Sequence, residues 1–250
     1  MTVLVGIRCK DGVVIGSDSS VTFGTMGGRT IEQTARKVEI IEGCMIVAGT
    51  GQVGLGQRFC HQLAQAYQQK KFREMGCIDI GKAMSQLAID DFAQTQATKG
   101  QYGALVAYAA KHEPHLCEFA VDDFQPEIKT EHIWYASMGS GQAIADPFLG
   151  LMRKVFWKDG MPSLTDGVFA AAWTLQHTID VNPGGVNAPI HLATLRVDGG
   201  KSVATYLTEE DIGQHLENVR GAEKYLQGYS EVLQGTKGVP PDVPLPGPAK

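Results

Sequence analysis

Thr2 is the residue of this chain whose type and position first suggest chemistry. An initiator methionine is normally trimmed when the next side chain is small, which would leave Thr2 with a free α-amine beside its hydroxyl. An α-amine with a pKa of about 7.7–8.0 is partly neutral at cellular pH and can act as a base. One residue would then supply a nucleophile and its activator. Many proteins begin with Met-Thr by chance, so the interpretation depends on what lies near Thr2.

Asp18 is predicted to lie beside Thr2 because of a hairpin. Two β-rich runs, residues 3–9 and 13–18, flank the turn Lys10-Asp11-Gly12, and Asp-Gly between such runs is a strong hairpin signal. A hairpin of this length returns the end of its second strand to the start of its first. The alternative for Asp18 is an ordinary turn-capping carboxylate.

Lys37 is the third residue of this constellation, at the start of the next predicted strand. A lysine held near both the Asp18 carboxylate and the Thr2 hydroxyl would make deprotonation of Oγ easier. The alternative is a solvated surface charge.

Strand and helix patterns alternate in groups along the rest of the chain. The first fifty residues are expected to form four strands that are all antiparallel neighbours, with residues 23–35 as a loop or a second hairpin tip. Later strands are predicted at residues 104–110, 116–121, 133–137, 190–197 and 202–206. Helices are predicted at residues 53–67, 80–92, 142–157 and 164–179, and after the cap Thr208. This order predicts an α+β fold of two stacked antiparallel sheets covered by helices, in one domain over residues 1–234. Residues 235–250 are rich in proline and predict an extended tail.

Composition excludes several other classes of protein. The chain has 250 residues and a net charge of -5, with no basic cluster, so a nucleic-acid partner is not expected. No apolar run reaches the roughly 18 residues that span a bilayer, and the N-terminus lacks a signal-peptide pattern. The five cysteines are scattered without a CxxC pair, which favours free thiols and a cytoplasmic location. Neither a metal nor a cofactor is expected.

Several segments, in order, resemble the β-subunits of the proteasome and the related HslV peptidase. They are Met1-Thr-Val-Leu-Val-Gly-Ile, Lys10-Asp-Gly-Val-Val-Ile-Gly-Ser-Asp18, Lys37-Val-Glu-Ile-Ile, Met45-Ile-Val-Ala-Gly49, Ala136-Ser-Met-Gly-Ser140-Gly141 and Asp180-Val-Asn-Pro-Gly-Gly185. The overall profile is most similar to the small bacterial proteasome homologues. The resemblance implies a four-layer αββα sandwich, the N-terminal-nucleophile hydrolase fold.

The resemblance also implies roles for named residues. Thr2 would be nucleophile and base, and Asp18 and Lys37 would set its protonation. Ser140 and Asp180 would hold the α-amine and a nucleophilic water. The implied oxyanion donor is the backbone N–H of Gly49, and the implied substrate-binding residues are Thr22, Gly49 and Gly51. A pocket of Val21, Ala35, Val47 and Leu55 favours cleavage after apolar residues.

The implied activity is a threonine endopeptidase enclosed in a double ring of six or seven subunits per ring. Its substrates would be peptides or unfolded proteins, and an ATP-driven unfoldase is a partner by analogy only. Two departures stand out: the spacing from Asp18 to Lys37 is longer than usual, and Pro183 replaces a serine of the family pattern.

Other interpretations remain open. A ring that no longer cuts, acting as a binding or scaffold chamber, is one, and an amidase of the same nucleophile class is another. Gly49-Thr-Gly51-Gln-Val-Gly54 matches a dinucleotide fingerprint, so an NAD-binding oxidoreductase is a remote alternative. It lacks the acid that should end a second parallel strand about twenty residues on. His112-Glu-Pro-His115 resembles a metal pair but is expected to be a surface turn, because Pro114 prevents helical presentation.

Overall fold

The hairpin at the start of the chain forms as its sequence predicts. In this computed structural model, β1 (Leu4–Arg8) and β2 (Val13–Ser17) pair antiparallel, with Leu4 opposite Ser17. The N–H of Cys9 closes the turn by donating to the carbonyl of Gly12, at 2.8 Å. The structure describes residues 1–25, 28–97, 101–182 and 184–234, so the proline-rich tail lies outside the described residues.

Strands and helices alternate in the order that the sequence predicts. The further strands are β3 (Ser20–Thr25), β4 (Gly28–Thr34), β5 (Val38–Ile41), β6 (Met45–Gly51), β7 (Tyr102–Ala110), β8 (Glu113–Phe119), β9 (Pro126–Ile128), β10 (Tyr135–Met138), β11 (His191–Asp198) and β12 (Lys201–Tyr206). The helices are α1 (Val53–Gln68), α2 (Cys77–Gln94), α3 (Gln142–Phe156), α4 (Leu164–Val181) and α5 (Glu209–Leu233).

Two five-stranded antiparallel sheets form the centre of the molecule. Their strand orders are β10-β1-β2-β11-β12 and β5-β6-β7-β8-β9, and β3 pairs with β4 in a separate two-stranded sheet. The expectation of four neighbouring strands in the first fifty residues is wrong in two respects. Six strands form there, and the β1–β2 and β5–β6 hairpins belong to different sheets.

Three layers of apolar packing show how the sheets and helices stack. Because neighbouring side chains on a strand point to opposite faces, Leu4 faces the second sheet while Val5 faces the helices α3 and α4. Ile46 of β6 lies opposite Leu4 in the inter-sheet layer, and Val47 packs toward α1 and α2. Each fully buried side chain of this kind contributes about 1.5–3 kcal/mol. The result is helices, sheet, sheet, helices, which confirms the predicted α+β sandwich.

The last helix packs on α4 and closes the outer layer. Thr208 caps it as predicted: Thr208 Oγ1 accepts from the Asp211 N–H at 3.1 Å, and the Asp211 carboxylate accepts from the Thr208 N–H at 3.1 Å. Glu223, farther along α5, accepts a hydrogen bond from the indole of Trp173 on α4, at 3.1 Å. The five cysteines are free thiols, as predicted, and four of them are buried.

Candidate active site

The first hairpin places Asp18 next to the residue that it is predicted to serve. One step beyond the paired strands, the Asp18 N–H donates to the Val3 carbonyl at 3.3 Å, and the Val3 N–H donates to Asp18 Oδ1 at 2.9 Å. The other carboxylate oxygen accepts from the Ser20 N–H, also at 2.9 Å. Asp18 is fully buried, so these donors fix the carboxylate one residue from Thr2.

Lys37 reaches the same point from the second sheet. Its Nζ donates to Asp18 Oδ1 at 2.7 Å and to Thr2 Oγ1 at 3.2 Å, and its side chain is only 7% exposed. Burial lowers the pKa of Lys37 from its ordinary value, and the Asp18 charge opposes that shift. A buried ammonium held against a hydroxyl favours the oxyanion form of that hydroxyl. Lys37 therefore lies where its ammonium would stabilise a deprotonated Thr2 hydroxyl.

A tight turn between β10 and α3 covers Thr2 from the other side. Ser140 Oγ accepts from the Thr2 N–H at 3.1 Å and lies 3.3 Å from the Thr2 carbonyl oxygen, which also accepts from the Gly141 N–H at 3.1 Å. Gly139 has a φ of +92°, and a Cβ there would lie 2.4 Å from the Thr2 carbonyl oxygen. The turn approaches Thr2 this closely because Gly139 has no side chain.

Met1 occupies the groove beside Thr2. The terminal amine donates to Thr22 Oγ1 at 2.9 Å, and Lys37 Nζ donates to the Met1 carbonyl at 3.1 Å. While Met1 is attached, the Thr2 nitrogen belongs to a peptide bond and has no basic lone pair. Removing Met1 would convert this nitrogen into the α-amine and free Thr22, a residue expected to pair with substrate.

Gly49 lies across from Lys37 at the rim of the site. The register of β5 with β6 pairs Val38 with Ala48, so continuing it by one residue sets Lys37 opposite Gly49. A Cβ at Gly49 would lie 2.4 Å from the hydroxyl of Tyr102. Gly51, two residues on, has a φ of +107°. The predicted oxyanion donor and the predicted substrate-binding glycine therefore both occupy positions that favour glycine.

Asp180 stands apart from these contacts. It lies in the last turn of α4 with an exposed side chain, and its carboxylate accepts a hydrogen bond from Gln176 Nε2 at 2.7 Å. The structure thus brings together four of the five predicted catalytic residues, and the contact described for Asp180 is with its own helix. Pro183, the departure noted in the sequence, lies outside the described residues.

The residues of the predicted apolar pocket differ in exposure. Val47 and Leu55 are buried, at 1% and 5% exposed, Val21 is half-buried and Ala35 is exposed. The side chain opposite Val47 across the β5–β6 pair is Glu39, which is exposed. The prediction missed this carboxylate. The available signal was its position two residues after Lys37, which places both on one face of a strand.

A serine–histidine pair also escaped prediction. His191 Nδ1 lies 3.2 Å from Ser19 Oγ, and Ser19 Oγ donates its proton to the Pro189 carbonyl. Since a carbonyl only accepts, Ser19 must accept from His191, and Nδ1 carries the proton. Burial, followed by the Arg36 charge, lowers the pKa of His191. This pair anchors the turn that directly follows Asp18.

The structure tests two alternative interpretations of sequence motifs, a dinucleotide-binding loop and a histidine pair. β5, β6 and β7 are antiparallel neighbours, so the glycine run that opens α1 does not belong to a parallel dinucleotide-binding unit. His112 lies in the turn before β8, as expected, and contacts the carbonyl of Gly200. His115 corrects the prediction of a surface turn: it is buried in β8 beside Tyr108.

Within the described ranges, no group of three or more His, Cys, Asp or Glu side chains is arranged to hold a metal ion. In the same part of the chain, no helix has the length and apolar character needed to cross a membrane.

Comparisons with known proteins identify the family to which this chain is similar. The sequence profile of the proteasome subunit family matches residues 2–183. The chain matches no curated protein sequence.

Three solved structures share the fold over nearly their whole length. Anbu (ancestral β-subunit) from Yersinia bercovieri has a TM-score of 0.68 at 15% identity, with 95% of this chain and 99% of that chain covered. The helical assembly of the Anbu complex from Pseudomonas aeruginosa has a TM-score of 0.66 at 17% identity, with 96% and 98% covered. An Anbu (Gly-1) mutant from Hyphomicrobium sp. strain MC1 has a TM-score of 0.70 at 14% identity, with 92% and 97% covered. These neighbours agree with the resemblance to small bacterial proteasome homologues, and the family profile covers the hairpin, the lysine strand and the Gly-Ser-Gly turn that surround Thr2. The chain is a member of the proteasome subunit family.

Proposed function

We propose that this chain is a threonine endopeptidase in which Thr2, freed by removal of Met1, is both nucleophile and general base. The observation that carries the proposal is the position of Lys37 Nζ, 3.2 Å from Thr2 Oγ1 and 2.7 Å from Asp18 Oδ1. A buried ammonium that bridges a hydroxyl and a carboxylate favours loss of the hydroxyl proton. Membership of the proteasome subunit family supports the same reading.

The reaction can be written with these residues alone. The free α-amine of Thr2 takes the Oγ proton as Oγ attacks the substrate carbonyl carbon, and the carbonyl oxygen becomes an oxyanion near the Gly49 N–H. The amine then gives its proton to the leaving nitrogen as the C–N bond breaks. An ester on Thr2 remains, and a water molecule activated by the same amine hydrolyses it. Ser140 already contacts the Thr2 nitrogen and is the described group that would orient the amine.

The substrate is proposed to enter as an extended strand between Thr22 and the end of β6. Gly49 and Gly51 present backbone there without side chains, which suits pairing by strand addition. Met1 holds Thr22 Oγ1 at 2.9 Å in the unprocessed chain, and so occupies part of the same path.

Residues 1–234 are proposed to form one domain. Copies of this domain are proposed to assemble into stacked rings of six or seven subunits that enclose the site. One structural neighbour is described as a helical assembly, so an open helix is the competing arrangement. Light scattering and electron microscopy of the folded protein distinguish a closed double ring of fixed mass from a filament of variable length. A monomer or dimer would contradict both. A peptide or unfolded protein is the proposed substrate, and an ATP-driven unfoldase is a partner by analogy with the family.

One observation favours a second candidate, a ring that binds without cutting. The Asp180 carboxylate contacts Gln176 on its own helix, so the described contacts of the Thr2 nitrogen are those of Ser140 alone. A poorly held amine would activate Oγ weakly.

Labelling by a hydroxyl-directed electrophile separates the two candidates. Intact mass should show a chain without Met1, and one adduct per subunit that maps to Thr2. Thr2→Ala should lose both the adduct and peptide hydrolysis, while its assembly and unfolding transition stay unchanged. Ser20→Ala is the matched control, because its backbone N–H still reaches Asp18 and its hydroxyl has no described partner. Processed wild type that takes no adduct and cuts no peptide library would replace the peptidase with the inert chamber. Peptide hydrolysis by protein that quantitatively retains Met1 would refute the mechanism.

A further inference from the structure

Glu39 is a charged side chain that the peptidase mechanism does not use. It is the second residue of β5, and Lys37 directly precedes that strand, so continued extended backbone would direct both side chains to the same face. Two steps of strand rise separate their Cα atoms by about 6.6 Å. Lys37 contacts Thr2 Oγ1, so Glu39 follows in sequence the residue that reaches the proposed nucleophile.

The residues around Glu39 form a wall with a defined composition. Val47 lies directly opposite Glu39 in the β5–β6 pair. Burial raises the pKa of the Cys60 thiol of α1, and Glu39 lies close enough for its charge to raise that pKa further, so Cys60 is protonated. Burial likewise keeps the Tyr102 phenol neutral by raising its pKa, and its hydroxyl lies directly under Gly49. We refer to Glu39, Val47, Gly49, Cys60 and Tyr102 as the Glu39 wall.

Glu39 is the charged residue of the Glu39 wall, and the nearby cations Lys37 and Arg36 contact other residues. Lys37 is paired with Asp18 at 2.7 Å. Arg36 turns the other way and places its guanidinium over the ring of Tyr206, 4.4 Å from the centroid. Among the ion pairs found in the described residues, none includes Glu39. Glu39 is thus an exposed carboxylate without an ion pair in the described part of the chain, close to a neutral thiol and a neutral phenol.

We propose that Glu39 determines specificity, and that the site prefers a lysine or arginine side chain on the acyl side of the cleaved bond. The proposal rests on the peptidase function and names its substrate class. A carbonyl carbon at Thr2 Oγ, with its oxygen near the Gly49 N–H, directs the side chain of that residue along the Glu39 wall. Val47 contacts its methylene groups, and Glu39 accepts hydrogen bonds from its ammonium or guanidinium. The apolar preference expected from the sequence rested on Val21, Ala35, Val47 and Leu55, and did not include the carboxylate of Glu39, which is paired with Val47.

Paired peptides measure this preference directly. Two fluorogenic peptides that differ only in lysine or norleucine before the scissile bond keep the chain length and change the charge. Wild type should show the higher kcat/KM for the lysine peptide. Glu39→Gln should lower the lysine-to-norleucine ratio about tenfold to hundredfold, because the substrate cation then meets a neutral amide in place of a carboxylate. Glu42→Gln is the control, since it removes the same charge at the far end of the same hairpin, and its ratio should equal that of wild type.

Measuring the affinity of the protein for the two peptides tests the specificity without requiring that the protein cleaves them. Thr2→Ala protein is titrated with each uncleaved peptide by fluorescence anisotropy, with and without Glu39→Gln. Glu39-dependent preference for the lysine peptide in this background supports the specificity, even if wild type neither cuts nor takes an electrophile and the peptidase function falls. Equal binding of both peptides, a norleucine preference in wild type, or an unchanged ratio in a folded Glu39→Gln variant would overturn the role of Glu39.

Discussion

Replacing Asp18 with asparagine exchanges one buried carboxylate oxygen for an NH2 group, and we expect this change to destabilise the folded protein strongly. Asp18 Oδ1 accepts from Lys37 Nζ and the Val3 N–H, and Oδ2 accepts from the Ser20 N–H. Asparagine keeps one acceptor oxygen. If that oxygen serves Val3 and Lys37, the new NH2 faces the Ser20 N–H, and a buried donor is left unpaired at a cost of about 1–3 kcal/mol.

The larger penalty comes from Lys37. Its side chain is 7% exposed, and breaking a buried ion pair by removing one partner costs about 3–5 kcal/mol. Together the two effects predict a loss of about 4–8 kcal/mol at pH 7, as an upper value, because Lys37 can release its proton. Many domains of this size have a total stability of only about 5–15 kcal/mol.

The pH dependence of the unfolding free energy should identify Lys37 as the source of the lost stability. Burial already lowers its pKa, and Asp18 is the group that opposes this shift, so the variant should lower the pKa further. The unfolded chain then binds more protons than the folded chain between the two pKa values, and stability rises with pH in that window. Urea unfolding of Asp18→Asn between pH 7 and pH 10, at fixed protein concentration, should show this rise more steeply than wild type.

A double variant gives the control. Asp18→Asn with Lys37→Met removes both charges and should recover most of the ion-pair loss, since replacing both partners of a buried pair is close to neutral. Two results would refute the reasoning: an unfolding midpoint of Asp18→Asn equal to that of wild type, or a double variant that is no more stable than the single one.

Two further predictions concern residues that hold the site in place. Gly139→Ala should destabilise the protein by more than about 1 kcal/mol, because its φ is +92° and the added Cβ would lie 2.4 Å from the Thr2 carbonyl oxygen. Gly221→Ala, in α5 with open space around it, should stabilise by up to about 1 kcal/mol, and both changes are read by chemical unfolding. The lowered pKa of His191 means that the unfolded state protonates first on acidification, so wild type should lose stability as pH falls below about 6.5. His191→Gln should flatten that loss between pH 7 and pH 5, and an equally steep loss in the variant would assign the dependence to other groups.

The hairpin geometry was predictable from sequence because turn chemistry and strand length are local. The turn Lys10-Asp11-Gly12 and two short apolar strands set the register that places Asp18 opposite Val3. Lys37 contacts Thr2 as the sequence predicts, although it arrives from the other sheet. Its position depends on the stacking of two sheets, which no local pattern contains.

The misses have physical reasons. The sequence leaves a loop or a second hairpin tip open for residues 23–35, and the structure forms the β3–β4 hairpin there. A loop could not be excluded because this stretch lacks the apolar alternation of a strand with one face in a core, and Glu32 to Thr34 are exposed. The strand β9 has three residues, begins with proline and lies at a sheet edge, so it gives almost no periodic signal. Residue spacing does not determine whether the Asp180 carboxylate contacts Gln176 on its own helix or turns toward Thr2.

The carboxylate of Asp18 ties the start of β1, the turn after β2 and the lysine of the second sheet to one buried point. A lineage that lost catalysis would still be under selection to keep Asp18 and Lys37, because the fold loses stability without them. Their persistence in a sequence therefore reports folding and says little about activity. The Thr2 hydroxyl is different, since its one hydrogen bond within the described part of the chain is the weak contact with Lys37. Replacement of threonine by alanine or glycine at this single position removes the hydroxyl, and is the change that would mark the loss of catalysis.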